Sequence, residues 1–175
     1  ILTLNTITVR NGGNGSSAPT LGGCIFVNVN GTLNVQNSSV QNCYSSNSGG
    51  GIYGNAGATV TVTNSSVSSN SAGFIGGGVH CSECILTLTG ATISSNVINQ
   101  PYVASGAAGV YCNTCTLSVT GTTFSSNSVS NTLGPAYGGA LIIENAGSYT
   151  ISNSTFTNNS VTSSSIAYGG AVALV

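Results

Sequence analysis

The sequence predicts an all-β fold: a right-handed parallel β-helix of about six coils with uncapped ends, built as a single domain over residues 1–175. The first observation behind this prediction is a repeated piece in which glycine or alanine precedes a short apolar run, as in "GGCIFV", "GGGVHC" and "GGALII". The first large apolar residues of the copies lie about 27 to 31 residues apart, a spacing typical of solenoid repeats. They are Ile25, Ile52, Val79, Val110, Leu141 and Val172.

The second observation is a strand-like piece that follows each glycine-rich piece, as in "VTVTNSSV" and "LTLTGATI". Its apolar residues alternate with a period of two, which is typical of β-strands, and no window shows helical spacing bounded by caps. The apolar triplets keep the same internal spacing in every copy: Leu2/Leu4/Val9, Leu33/Val35/Val40, Val60/Val62/Val67, Leu86/Leu88/Ile93, Leu117/Val119/Phe124 and Tyr149/Ile151/Phe156.

The third observation is an asparagine three residues after the last member of the triplet. It stands at Asn70, Asn96, Asn127 and Asn159, while Gly12 and Cys43 hold that place in the first two copies. One repeat unit cannot bury its apolar side alone, whereas stacked units share one interior. We therefore expect the triplets to fill the lumen, the glycines to permit a thin wall, and the asparagines to form a stacked amide ladder at a corner.

These paired motifs, GGA[ILV] and FxxN, carry a resemblance to a known family. They stand in this chain as "GGALI…FTNN", "AAGVY…FSSN" and "GGGVH…ISSN". The chain resembles, over nearly its whole length, the repeats of chlamydial polymorphic outer-membrane proteins and related surface adhesins. The resemblance implies a β-helical rod that is extracellular and surface-exposed, as a passenger segment or an adhesin is.

The composition is almost without charge. The charged residues are Arg10, Glu83 and Glu144, and His80 is the one imidazole. Nucleic-acid binding needs a basic surface, so this composition excludes that class of partner. No apolar run approaches the length of a membrane span, no signal peptide is recognisable, and nothing indicates a cofactor.

The two ends of the sequence carry no polar cap. The chain starts in the strand "ILTL" and stops in the strand "AVALV", and it contains no Met, which suggests a processed product or a segment of a longer protein. Open solenoid ends expose unpaired backbone and apolar core. Either caps lie outside this segment, or the next subunit covers each end and end-to-end self-association builds a fibre. A net charge near zero favours association.

The six cysteines indicate an oxidising compartment, because their number is even and their spacing repeats. Each C-x-x-C closes its own turn, or the cysteines bridge adjacent coils. We favour the first pairing, which also leaves one further pair: Cys81–Cys84, Cys112–Cys115 and Cys24–Cys43. A zinc site built from both C-x-x-C motifs is a weaker alternative, because four sulfurs would have to converge from one wall.

Six N-x-S/T sequons offer sites for covalent N-glycans. They are Asn14, Asn30, Asn37, Asn64, Asn153 and Asn158. Three of them, Asn37, Asn64 and Asn153, share one predicted turn, which favours modification there. The alternative is that turns select Asn and Ser for conformational reasons alone.

Catalytic constellations are scarce. Glycoside hydrolysis needs two carboxylates at a set separation, but Glu83 and Glu144 lie about two coils apart and no Asp exists. His80 near Glu83 lacks a nucleophile or third partner. We expect a protein that is not an enzyme, with a carbohydrate-active β-helix enzyme as an unfavoured alternative.

Two outward columns are candidate surfaces. The first is a mostly aromatic stripe beside a shelf of small residues, suited to assembly or glycan contact. It comprises Phe26, Tyr53, His80, Tyr111 and Ile142. The alternative is that these side chains only stack on each other.

The second column is a T-x-T array, from Thr61/Thr63 to Thr150/Ser152, which resembles the ice-binding face of β-helical antifreeze proteins. Threonine is also an ordinary outward strand residue, and Asn34/Gln36 interrupt the pattern. We therefore expect an extracellular structural rod, a filament subunit or a segment of a surface adhesin, with ice binding as an alternative.

Overall fold

The computed structural model describes residues 1–13, 19–100, 105–131, 134–145 and 147–175. Within these residues every regular element is a β-strand, and every strand pairing is parallel. The strands stack into five sheets that run along one axis, and the chain visits sheets I, II, III, IV and V in turn before it returns to sheet I one coil higher. The predicted parallel β-helix is confirmed.

Sheets I and II each contain six described strands. Sheet I comprises β1 Leu2–Asn5, β4 Thr32–Gln36, β8 Thr59–Thr63, β12 Ile85–Thr89, β17 Thr116–Thr120 and β22 Ser148–Ser152. Sheet II comprises β2 Thr8–Arg10, β5 Ser39–Gln41, β9 Ser66–Ser68, β13 Thr92–Ser94, β18 Thr123–Ser125 and β23 Thr155–Thr157. From β1 to β22 the chain makes five full turns, so the predicted number of about six coils is close to the observed one.

Sheets III, IV and V close the coil. Sheet III comprises β6 Tyr44–Ser45, β10 Ser71–Ala72, β14 Val97–Gln100, β19 Ser128–Asn131 and β24 Ser160–Ser163. Sheet IV comprises β15 Ser105–Gly106, β20 Ala136–Tyr137 and β25 Ala167–Tyr168, and single bridges at Leu21, Ser48 and Ile75 extend its line. Sheet V comprises β3 Ile25–Val27, β7 Ile52–Gly54, β11 Val79–Ser82, β16 Val110–Asn113, β21 Leu141–Glu144 and β26 Val172–Leu174.

The lumen is filled by the apolar triplets that the sequence singled out. In the middle coils all three members are buried, as for Val60, Val62 and Val67, and each pairs in register with its equivalents above and below. A smaller cluster of Ala72, Ile98, Ala108, Val129 and Ala136 fills the space behind sheets III and IV. Because successive coils share this interior, each coil depends on its neighbours for burial.

The turn between sheets I and II requires the left-handed backbone region. Its first residue has φ between 47° and 60° in every coil, and it is Thr6, Asn37, Asn64, Gly90, Gly121 and Asn153. Glycine and asparagine tolerate this conformation at the lowest cost. The recurrent Asn or Gly in "TNSS", "TGAT" and "SNST" therefore has a conformational reason.

Candidate functional site

The corner between sheets II and III, which we call the asparagine corner, carries the predicted amide ladder. The Nδ2 of Asn70 donates to Oδ1 of Asn96 at 3.1 Å, and Asn96 donates in the same way to Asn127 at 3.0 Å and Asn127 to Asn159 at 2.9 Å. Each oxygen also accepts from the backbone N–H of the asparagine before it, at 3.0–3.1 Å. Asn70, Asn96 and Asn127 have no exposed surface, so the ladder is confirmed as a buried structural element.

A second polar ladder, not predicted from the sequence, lies at the corner between sheets I and II. There the hydroxyl of Ser65 accepts from the backbone N–H of Ser38 at 3.0 Å, and the hydroxyl of Ser154 accepts from the N–H of Thr122 at 3.1 Å. The signal was the serine that follows the left-handed position in three of the six coils, at Ser38, Ser65 and Ser154. It satisfies backbone donors that the turn leaves unpaired.

The sequons lie at two kinds of position. Asn37, Asn64 and Asn153 lie at the corner between sheets I and II, with two coils between Asn64 and Asn153, and all three are exposed, as are Asn30 and Asn158 in other turns. Asn14 lies outside the described residues. Exposure and a turn conformation suit a glycan attachment site, yet the positive φ alone explains the asparagines, so N-glycosylation stays a prediction.

The cysteines are joined as Cys24–Cys43, Cys81–Cys84 and Cys112–Cys115, with Cα–Cα distances of 5.5, 5.5 and 5.6 Å. These are the pairs favoured from the sequence. The two C-x-x-C pairs each close their own turn between sheets V and I instead of converging on one ion. In the part of the chain that the structure describes, no group of three or more His, Cys, Asp or Glu side chains is placed to hold a metal.

The predicted aromatic stripe forms one column on the outer side of sheet V. Ring centroids are 5.6 Å apart for Phe26 and Tyr53, 4.8 Å for Tyr53 and His80, and 5.0 Å for His80 and Tyr111, and Ile142 continues the column in the next coil. We expected an exposed stripe, and this is wrong for its upper part. His80, Tyr111 and Ile142 are buried, and Phe26 alone is strongly exposed, at 46 %.

The reason for this burial is a second column, on sheet IV, that the sequence analysis did not identify. It comprises Leu21, Ser48, Ile75, Gly106, Tyr137 and Tyr168. A tight turn with positive φ separates the two columns, and we call it the glycine corner. Its residues are Gly22, Gly49, Gly76, Ala107, Gly138 and Gly169. The sequence carried a signal for this turn, because each of these residues is the first residue of a copy of the glycine-rich motif.

His80 is the one imidazole of the chain, and it lies inside the stack between Tyr53 and Tyr111. Burial lowers its pKa from 6.5 to about 4, because the charged form loses its hydration. Among the described residues its Nδ1 has no hydrogen-bond partner. A neutral, buried imidazole is unsuited to exchange protons with a substrate at neutral pH.

The two carboxylates do not form a pair. Glu83 is exposed in the turn between sheets V and I, with φ of 50°, whereas Glu144 ends β21 and accepts a hydrogen bond from the hydroxyl of Tyr111. The register aligns Glu144 with Ser82 two coils away, one residue before Glu83. The predicted separation of about two coils is what the register shows.

The T-x-T residues lie on the outer face of sheet I, in register from coil to coil. Thr61 stacks with Thr87, and Thr87 with Ser118, while Thr63 stacks with Thr89. Thr89 is exposed, and Thr61 and Thr87 are half-buried. The array is therefore regular over the middle coils, with Asn34 and Gln36 interrupting it below.

No helix that could span a membrane occurs among the residues described. No family model, curated protein or solved structure matches the chain. The resemblance to surface-adhesin repeats thus gains no support from a family match. The structure supports the parallel β-solenoid fold alone.

Proposed function

We propose that this chain is an extracellular structural rod, a β-helical segment of a filament or of a surface adhesin, and that it is not an enzyme. The observation that carries the proposal is the uninterrupted in-register stacking of coils around one apolar lumen. Such a solenoid is rigid along its axis and repeats its surface at about 4.8 Å per coil. Among the described residues we find no catalytic constellation, and with one cationic side chain, Arg10, nucleic acid is not a fitting partner.

The outermost described coils present the same apolar positions that the inner coils bury. Leu2 is 51 % exposed whereas its register partner Leu33 is 1 % exposed, and Leu174 is 64 % exposed whereas Ile143 is 2 % exposed. Further coils stacked on these faces would bury the same positions. A neighbouring copy that supplied such a coil would repeat the contact from copy to copy and give an end-to-end fibre.

The three cysteine pairs favour an oxidising, extracellular location. The exposed sequon column at Asn37, Asn64 and Asn153 supports covalent glycans on the rod. With almost no surface charge, attached sugars would also keep such a rod from lateral aggregation.

Electron microscopy of native material, combined with mass spectrometry before and after enzymatic removal of N-glycans, tests the proposal. We expect rods or filaments in the images. Enzymatic deglycosylation should remove glycan mass from Asn37, Asn64 or Asn153, and no free thiols should be found. Dispersed short particles with unmodified asparagines and free thiols would contradict it.

Ice binding is a second candidate, favoured by the regular hydroxyl and methyl array of sheet I. A face with threonine pairs in register presents hydroxyl and methyl groups at a repeating spacing. If this face binds ice, thermal hysteresis is measurable and is lost in Thr89→Tyr, while Thr92→Tyr on sheet II retains it. Absence of thermal hysteresis in the unchanged protein removes this candidate.

A further inference from the structure

The aromatic rings of the glycine corner change sides along the rod. In the lower coils they belong to sheet V, ending at Tyr111, and the facing sheet IV positions are aliphatic or small, as at Ile75 and Gly106. In the upper coils the rings belong to sheet IV, where Tyr137 and Tyr168 stack with centroids 5.1 Å apart, and sheet V supplies smaller side chains.

This crossover leaves a cavity of about 290 Å³ between the two aromatic columns. Tyr111 and Tyr137 both line it, one from each sheet, and the other lining residues are Ile75, Gly106, Ile142, Glu144 and Val175. Gly106 packs closely beside it, because a Cβ there would lie 2.3 Å from the Cδ1 of Ile142. The volume lies just below the usual range of about 300–1,000 Å³ for ligand pockets and suits one ring-sized ligand.

Glu144 supplies the polar side of the cavity. Its carboxylate accepts the hydroxyl hydrogen of Tyr111, and a carboxylate has acceptor positions for about three further donors. Glu144 is half-buried, so the group remains reachable from the cavity. The only Lys or Arg of the chain is Arg10, which lies on sheet II, so no side-chain cation offsets this negative charge at the cavity.

Aromatic rings next to a hydrogen-bond acceptor match a ligand with one apolar face and several hydroxyl donors. We propose that this cavity binds a neutral pyranose sugar, whose C–H face packs against the tyrosine rings and whose hydroxyls donate to Glu144. An acidic sugar is disfavoured, because its carboxylate would face that of Glu144. This sugar site is independent of the fibre proposed above.

Isothermal titration of the protein with oligomers of glucose, mannose, galactose and N-acetylglucosamine tests the proposal. We expect at least one neutral oligomer to bind with a dissociation constant of about 1 mM or tighter. Glu144→Gln exchanges a charge-assisted hydrogen bond for a neutral one and should weaken that binding about tenfold. Tyr137→Ala removes a ring and should weaken it by a similar factor of about ten.

Matched controls separate recognition from folding. Glu83→Gln changes the other carboxylate, which lies outside the cavity, and should leave the dissociation constant within about twofold. Unfolding of each variant by urea confirms that it is folded. The proposal is overturned if no neutral oligomer binds at millimolar concentration, if oligogalacturonate binds as tightly, or if Glu144→Gln and Glu83→Gln have equal effects.

Discussion

The asparagine corner and the glycine corner solve different problems within the same coil. At the asparagine corner the same residue recurs at Asn70, Asn96 and Asn127, and each makes the same buried hydrogen bonds. At the glycine corner the residues facing each other change from coil to coil, from Ile75 and His80 to Tyr137 and Ile142. The asparagines hydrogen-bond to one another, so each coil needs the same residue, whereas rings and aliphatic side chains pack without such a ladder and can vary. We infer that the first corner serves stability and the second serves recognition.

The largest effect should come from breaking the asparagine ladder in its middle. Asn96→Ala orphans the carbonyl of Val67 and the N–H of Asn70 inside the wall, whereas the Nδ2 of Asn70 keeps its bond to the carbonyl of Val40. Each orphaned buried group costs about 1–3 kcal/mol, so we expect a loss of about 4 kcal/mol in the free energy of unfolding. Urea titration measures it.

Asn159→Ala is the matched comparison. Asn159 makes the same bonds but is only half-buried in the last described part of the ladder, so water can replace them. Its loss should be less than half that of Asn96→Ala. Equal losses would show that burial does not set the strength of this ladder.

The disulfide at the foot of the ladder should have the next largest effect. Cys43 holds the asparagine position in its coil, and its N–H donates to the Oδ1 of Asn70 at 3.0 Å. Its bond to Cys24 closes a separation of 19 residues, against 3 for Cys81–Cys84. From loop closure, Cys24→Ala with Cys43→Ala should cost about 3 kcal/mol and Cys81→Ala with Cys84→Ala about 2 kcal/mol. The reverse order in urea unfolding would contradict this reasoning.

At the glycine corner, acid should destabilise the protein through His80. The pKa of His80 is lowered to about 4, so between pH 6.5 and 4 the unfolded chain binds a proton that the folded one does not. Stability is complete above pH 6.5 and falls as the pH approaches 4, by about 3 kcal/mol in total.

His80→Phe places the ring type of Phe26 in the same column and removes the titrating group. Its free energy of unfolding should depend less on pH across this window than that of the unchanged protein. Glu83 and Glu144 are common to both proteins, so the difference between the two curves isolates His80. Parallel curves would show that His80 is not the group responsible.

The smallest effect concerns the turn itself. Ala107 has φ of 52° at a position where the other coils carry glycine. Relieving this conformation by Ala107→Gly should stabilise the protein by about 1 kcal/mol. Ala108→Gly, one residue later and without positive φ, should destabilise it by about 0.5–1 kcal/mol. Thermal unfolding of both variants shows whether the signs differ as expected.

The sequence was sufficient to predict the stacked fold, because inward positions repeat with a fixed internal spacing. Val60, Leu86 and Leu117 occupy equivalent places both in the sequence and in the lumen. The glycine corner was only half predicted. Residues five apart, such as Gly106 and Tyr111, face each other across a turn, and neither strand alternation nor repeat spacing indicates that approach.

The cavity beside Glu144 was not predictable for the same reason. It forms where the aromatic residues pass from sheet V, at Tyr111, to sheet IV, at Tyr137. This shift is visible only when the structure places the two sheets next to each other. The burial of His80 has the same origin, since its sequence position indicates an outward residue.

The division of roles between the two corners is tested most directly by nuclear magnetic resonance of the assigned protein during titration with the neutral oligosaccharides. The account predicts that amide signals of Tyr111, Tyr137 and Glu144 shift with sugar concentration, while those of Asn70 and Asn96 remain unchanged. Shifts along the threonine pairs of sheet I, or an unaltered glycine corner at saturating sugar, would contradict it.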